Sequence, residues 1–149
     1  MQSNTVTLAR IRRRVKELAL LIQAPDEALP TFGTSEDCAR PHVEVVGELP
    51  YYVVVERGKE LVREGFVDEH ALLERIFGSV TSAMASKFEV QSRRGNEDLR
   101  RLLFAKQLEL LARLDRQWSE RERARLLEIL RRHPFSDDLQ PRDKIEPTT

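Results

Sequence analysis

The stretch Tyr51-Tyr52-Val53-Val54-Val55-Glu56-Arg57-Gly58-Lys59-Glu60-Leu61-Val62 limits what this chain can fold into more than any other. Tyr51 to Val55 are all β-branched or aromatic, and such side chains fit a pleated, half-buried surface better than a helical turn. The run therefore predicts a central strand. Arg57-Gly58 supplies a tight turn, because glycine takes the positive φ a hairpin needs, and Lys59 to Arg63 returns as the next strand. Upstream, His42 to Val46 predicts another strand, joined to Tyr51 through Gly47-Glu48-Leu49-Pro50. The expectation is a three-stranded antiparallel meander with Glu56 opposite Lys59, Val54 opposite Leu61, Val53 opposite Val62 and Val43 opposite Val54. One face then carries Val43, Val45, Tyr52, Val54 and Leu61. The other carries His42, Glu44, Val46, Tyr51, Val53, Val55, Glu60, Val62 and Glu64, apolar at its middle and acidic at its edges.

Three strands do not form a domain alone, since one face must be covered before the ordering entropy is offset. Helices supply the cover. Leu8, Ile11, Val15, Leu18 and Ile22 recur at helical spacing, which predicts an amphipathic helix ending near Gln23. Ala24 to Pro41 holds Pro25, Pro30, Gly33 and Pro41 without periodicity and reads as a long connection of the kind that often carries function. Asp68 is placed as the N-cap of a helix carrying Leu72, Leu73, Ile76, Phe77, Val80, Met84 and Phe88. After a break over Gln91 to Asn96, a third helix carries Leu99, Leu102, Leu103, Leu110, Leu114 and Trp118. Ser119-Glu120-Arg121-Glu122 has the form of a capping box opening a fourth helix, which Pro134 stops. The fold expected is α+β: an N-terminal helix, the meander, then three mostly antiparallel helices packed on the sheet. Residues 1–135 form one domain, and 136–149 a flexible tail.

Charge and cysteine content narrow the classes of function. The 149 residues hold 25 acidic and 25 basic side chains, so net charge gives no general drive toward nucleic acid, whose binding rests mainly on phosphate neutralisation. The balance is local. Residues 1–23 carry five basic and one acidic residue, whereas 24–50 carry six acidic residues and only Arg40. Cys38 is the single cysteine, which removes any intrachain disulfide. Leu18 to Ile22 is the longest apolar run near the N-terminus, far below the ~20 residues that span a bilayer. A cytoplasmic protein without a membrane segment is expected.

The usual strings of chemistry are missing. His42-Val43-Glu44 has the H-x-E form of zinc deaminases, but these also need a P-C-x-x-C element, which one cysteine does not provide. The alternation of a strand explains it better. Cys38 and His42 lack a third orienting group, and no phosphate-loop, dinucleotide, zinc-protease or nucleophile-elbow string occurs. No catalytic residue, metal or cofactor is expected. Arg93, Arg94, Arg100 and Arg101 gather around the start of the third helix. With the arginines of the first helix they define an alternative, a small regulatory or nucleic-acid-binding module.

Several strings occur together in order: Pro30-Thr31-Phe32-Gly33, Val53-Val54-Val55-Glu56-Arg57-Gly58-Lys59-Glu60-Leu61, Arg100-Arg101-Leu102-Leu103-Phe104, Leu110-Leu111 and Trp118. In this set the chain resembles the immunity protein 63 family of bacterial polymorphic toxin systems over roughly residues 8–135. The resemblance implies a non-enzymatic protein that binds and neutralises a cognate toxin domain. It implies no catalytic residues, and it leaves Glu56, Arg57, Gly58, Arg100, Arg101 and Trp118 as residues of the structural motif. The acidic-edged sheet face, with Glu44, Tyr51, Val53, Val55, Glu60, Val62 and Glu64, becomes the candidate toxin surface, unless a helix or the 24–41 loop covers it. The loop acids Glu36 and Asp37 are the next candidates. Nothing in the sequence sets an oligomeric state.

Overall fold

The computed structural model describes residues 5–137. Among these described residues, four α-helices and a four-stranded mixed sheet make an α+β architecture, and they group into two compact units whose boundary falls between Val80 and Thr81.

In the first unit, α1 (Leu8–Ile22) opens on Thr7, whose hydroxyl accepts from the Arg10 amide, and closes on Gln23 in the left-handed region. Its predicted stripe is its buried face: Ile11, Val15, Leu18 and Ile22. The segment after it is more ordered than its composition predicts. It contains a 3-10 turn at Asp26–Ala28 and a strand, β1 (Thr31–Phe32), paired in parallel with β2 (His42–Val46). The sheet is therefore four-stranded and mixed, in the order β1-β2-β3-β4, rather than a three-stranded meander. Two residues between Pro30 and Gly33 are too short to display any alternation, which is why this strand leaves no periodic signal.

The strands β3 (Leu49–Glu56) and β4 (Lys59–Gly65) form the expected hairpin, with Arg57 at φ 51 and Gly58 at φ 72. Both turn residues in the left-handed region are the signature of a tight hairpin turn that follows the sheet's twist. The register departs from expectation in two places. Strand β3 begins at Leu49 instead of Tyr51, so Val43 lies opposite Tyr52 rather than Val54. That shift of two residues leaves every side chain on its predicted face. Between Val54 and Val55 a β-bulge then offsets β4, putting Val54 opposite Val62, Val53 opposite Arg63 and Tyr52 opposite Glu64. A one-residue offset exchanges faces. Leu61, expected on the packed face, is 52% exposed, and Val62 and Glu64 move to the side carrying Tyr52 and Val54.

That side packs on α2 (Glu69–Gln91). The Tyr52 hydroxyl donates to Ser79 Oγ at 3.3 Å, and Arg75 stacks over the Tyr52 ring at 4.2 Å while binding Glu64 at 3.1 Å. Asp68 caps α2 as expected, accepting from the Ala71 amide at 2.8 Å. The core of this unit is Ile11, Val15, Leu18 and Ile22 with Leu29, Val43, Tyr52, Val53, Leu72, Leu73, Ile76, Phe77 and Val80, all buried.

In the second unit, α3 (Leu99–Leu114) and α4 (Arg116–Arg132) pack on each other as a helical hairpin. The expected capping box at Ser119 is not the start of α4. Asp115 ends α3 and begins α4, its amide donating to the Leu111 carbonyl and its carboxylate accepting from the Gln117 and Trp118 amides. Trp118 therefore belongs to α4, buried at 3% exposure, and the Ser119 hydroxyl donates instead to the Leu108 carbonyl at 2.9 Å. An aspartate needs only one extended residue to serve both helices, a junction that hydrophobic spacing alone does not reveal. The first residues of the expected tail bond to α3: the Ser136 amide donates to Asp98 and Asp137 pairs with Arg101. The remainder of the expected tail, 138–149, lies outside the described residues.

Candidate functional site

The sheet face turned away from Tyr52 and Ser79 carries His42, Glu44, Tyr51, Val53 and Arg63, as the register requires. The sequence placed an apolar centre with acidic edges here, and the bulge alters that picture by bringing a cation onto the face. Arg63 Nη1 donates to Glu44 Oε2 at 3.0 Å, and its Nε donates to Glu60 Oε1 at 2.8 Å. Glu44 stands on β2 and Arg63 on β4, so their ion pair bridges across the intervening β3. The guanidinium lies 5.5 Å from the Tyr51 ring centroid, within cation–π range. On the β2 side the chain of contacts continues, with His42 Nε2 2.9 Å from Glu44 Oε1.

This chain holds its charges firmly. The hydrogen bond from His42 and the neighbouring Arg63 keep the Glu44 carboxyl below the ordinary glutamate range, against a smaller opposing effect of burial. Arg63 does the same to Glu60. The two carboxylates raise Arg63 still further above its already high value. The buried Nδ1 of His42 has no hydrogen-bond partner among the described residues.

The face is thus divided. Its His42–Val53 end is closed, with His42 3% and Val53 0% exposed. Half-buried Val55 lies beyond Val53, beside the β3–β4 turn. Toward the β2–β3 turn the face is open: Tyr51 is half-buried, and the hairpin partners Val46 and Leu49 are exposed at 57% and 47%. Gly65, opposite Tyr51, makes that end possible, because a Cβ there would stand 2.9 Å from Tyr51 Cε1. The ring lies flat over backbone.

Of the residues expected at this surface, the structure brings together Glu44, Tyr51, Val53, Val55 and Glu60. It separates Val62 and Glu64 from them, since both sit on the α2 side and Glu64 pairs with Arg75. Arg63, Val46 and Leu49 join the surface. The bulge that carries Arg63 there leaves no mark in the composition of β4, whereas Val46 was on the predicted face all along. Glu36 and Asp37 lie on the loop beside the β3–β4 turn. Asp37 accepts from the Gly58 amide through Oδ1 at 2.6 Å and from the Arg57 amide through its carbonyl. Cys38 bridges to Glu56 alongside, and Glu36 pairs with Arg40 at 3.0 Å. Asp37, Glu56, Arg57 and Gly58 are thereby a structural unit that pins the loop to the hairpin.

The arginines of α3 are committed inside their own unit. Arg100 forks onto Asp98 and donates to the His133 and Pro134 carbonyls at 2.9 Å each, while Arg101 pairs with Asp137 at 3.0 Å and lies 4.3 Å from the Phe135 ring. A nucleic-acid face built on them would have to break these bonds first. Among the described residues no group of three or more His, Cys, Asp or Glu could hold a metal ion, and no helix is long and apolar enough to cross a membrane. The open end of the sheet offers fixed charges, an aromatic ring and apolar side chains, which suit binding.

A family model described as immunity protein 63 matches residues 50–128, from the start of the central strand into the later turns of α4. No curated protein and no solved structure matches.

Proposed function

The chain belongs to the immunity protein 63 family, and from that premise we propose that it binds a cognate polymorphic toxin domain in the cytoplasm of the producing cell. It neutralises the toxin by covering the toxin's active or substrate-binding surface and performs no turnover of its own. The observation that carries this reading is the open end of the outer sheet face, where exposed Val46 and Leu49 and half-buried Tyr51 adjoin the Glu44–Arg63–Glu60 chain. Apolar side chains beside satisfied polar groups are the anatomy of a protein interface. Tyrosine and arginine are also the residue types that most often dominate binding energy there.

In this reading Tyr51, Val46 and Leu49 supply the contact. Val53 and Val55 hold the strand that presents it, and Glu44 and Glu60 outnumber Arg63 and leave the patch acidic. An acidic patch suits a cationic partner, and it speeds capture by steering more than it deepens affinity.

The test uses the toxin domain encoded in the neighbouring reading frame, measured for association rate and affinity. Leu49→Arg combined with Tyr51→Ala should weaken binding by about tenfold or more. Glu44→Lys with Glu60→Lys should slow association at low salt, and Glu64→Lys, on the opposite face, serves as the control. Wild-type rate and affinity in both outer-face variants would move the surface to the loop at Glu36.

A further inference from the structure

Within the first unit, a pocket of about 370 Å³ lies between α1 and the β1 segment, bordered by Arg12, Lys16, Asp26, Leu29, Pro30, Thr31, Phe32 and Arg40. Its polar groups are unusual for this molecule. Arginines elsewhere in the described chain are mostly paired with carboxylates, as in Arg10–Glu69, Arg14–Glu17 and Arg75–Glu64. Arg12 and Lys16 have no such partner among the described residues. They stand four residues apart on α1, hence one turn apart on one side of the helix. Arg40, by contrast, is fixed as part of the wall. Its Nε donates to the Leu29 carbonyl at 3.0 Å, Nη2 to the Asp26 carbonyl at 2.8 Å and Nη1 to Glu36 at 3.0 Å. The floor is apolar, with Leu29 and Pro30 buried and Phe32 half-buried.

We propose that this pocket binds a small phosphate monoester carrying a flat apolar body, of the nucleoside monophosphate class. Two unneutralised cations match the near-dianion of a phosphate monoester at neutral pH better than the single charge of a carboxylate. Glu36 already offsets Arg40, so the charge available comes from Arg12 and Lys16. The volume lies at the lower end of the range for small-molecule sites, enough for a ring against Phe32 with the phosphate at α1. Asp26, which also lines the pocket, opposes the phosphate and sets how tightly it is held. The site is separate from the outer sheet face and does not depend on the partner proposed there.

Calorimetric titration of the full chain with adenosine monophosphate, inorganic phosphate and phenylacetate tests this. The monophosphate should bind with a dissociation constant below about 1 mM. Arg12→Gln with Lys16→Gln should weaken it by about tenfold or more while leaving the circular dichroism spectrum and thermal midpoint unchanged, since both side chains are exposed. Asp26→Asn should tighten it. No saturation by the monophosphate, or equal binding by the double variant, overturns the site. Inorganic phosphate binding as tightly as the nucleotide overturns the role of the apolar floor, and phenylacetate binding as tightly overturns the assignment of phosphate.

Discussion

Replacing Arg100 with methionine keeps the apolar stem and removes the fork, so it separates a structural arginine from one that serves a nucleic-acid surface. In the folded chain the Arg100 guanidinium holds both oxygens of Asp98 and the carbonyls of His133 and Pro134, closing the start of α3 onto the end of α4. Three acceptor groups, the Asp98 carboxylate and the two carbonyls, lose a charge-assisted donor in the variant. Such bonds contribute about 1.5–3 kcal/mol each when sheltered. The Arg100 side chain is 24% exposed and Asp98 10%, so solvent screening reduces each to roughly 1 kcal/mol, and the expected loss is about 2–3 kcal/mol. For a chain of this size that lowers the thermal midpoint by about 5–10 °C. Asp98 is held far below the ordinary carboxylate range, first by Arg100 and then by the amides of Ser136 and Arg100. A depressed carboxylate contributes stability that is present above its unfolded value and is lost as pH falls through its folded value. The gap between wild type and variant is thus full near neutrality and narrows only in strong acid. Urea denaturation from about pH 7 down to pH 3 measures it, with Asp98→Asn completing a double-mutant cycle whose coupling should reach about 1 kcal/mol. An Arg100→Met midpoint within about 0.5 kcal/mol of wild type refutes the clasp. Loss of DNA or RNA binding in the same variant would reinstate the alternative.

The bulge predicts opposite outcomes at neighbouring positions. Leu61→Asp should change stability by less than about 0.5 kcal/mol, whereas Val62→Asp, facing α2, should cost about 2 kcal/mol or more in urea; the reverse order would restore the unbulged register. Arg57 sits at φ 51, where a non-glycine side chain is strained and asparagine is better tolerated, so Arg57→Asn should raise stability by about 0.5–1 kcal/mol; a loss would mean that the Arg57 side chain makes a contact worth more than the strain. Glu44 and Glu60 are both lowered through Arg63, and their contribution is likewise present at neutral pH and lost in acid; Arg63→Met should flatten the stability profile between about pH 5 and pH 3, and an unchanged slope would show that the chain adds nothing to folding.

What the sequence reveals and conceals follows from the length scale of each signal. The α1 stripe, the Asp68 cap and the Arg57-Gly58 turn rest on local periodicity or on one residue's conformational preference, and each stands where its signal placed it. β1 and the bulge rest on pairing with residues distant in the chain, and no local pattern encodes them. Leu61 and Val62 are equally apolar, so only the observed register separates the exposed one from the one facing α2. The candidate surface shows the same division. Tyr51, Glu44 and Glu60 follow from alternation, but Arg63 stood in the sequence as an ordinary charge ending a strand. The Asp115 junction was hidden because the apolar spacing from Leu110 to Leu114 continues to Trp118 without a gap.

The bulge between Val54 and Val55 also bears on how chains of this kind can diverge. Between the turn at Gly58 and Arg63, β4 carries one residue more than its partner strand matches. Leu61 lies exposed in the bulged stretch and can drift to almost any residue without disturbing its neighbours. Deleting it would leave Val62 opposite Val54, Arg63 opposite Val53 and Glu64 opposite Tyr52, turning the bulge into a regular ladder with every later side chain on its present face. A second missing codon would shift the ladder by one position, swing Arg63 toward the Tyr52 side against α2 and undo the Glu44–Arg63 bridge. Related chains should accordingly vary freely in residue type at this point of the hairpin and tolerate the loss of one residue there, whereas a lineage that shortens it by two would need a compensating insertion to return the charges to their faces.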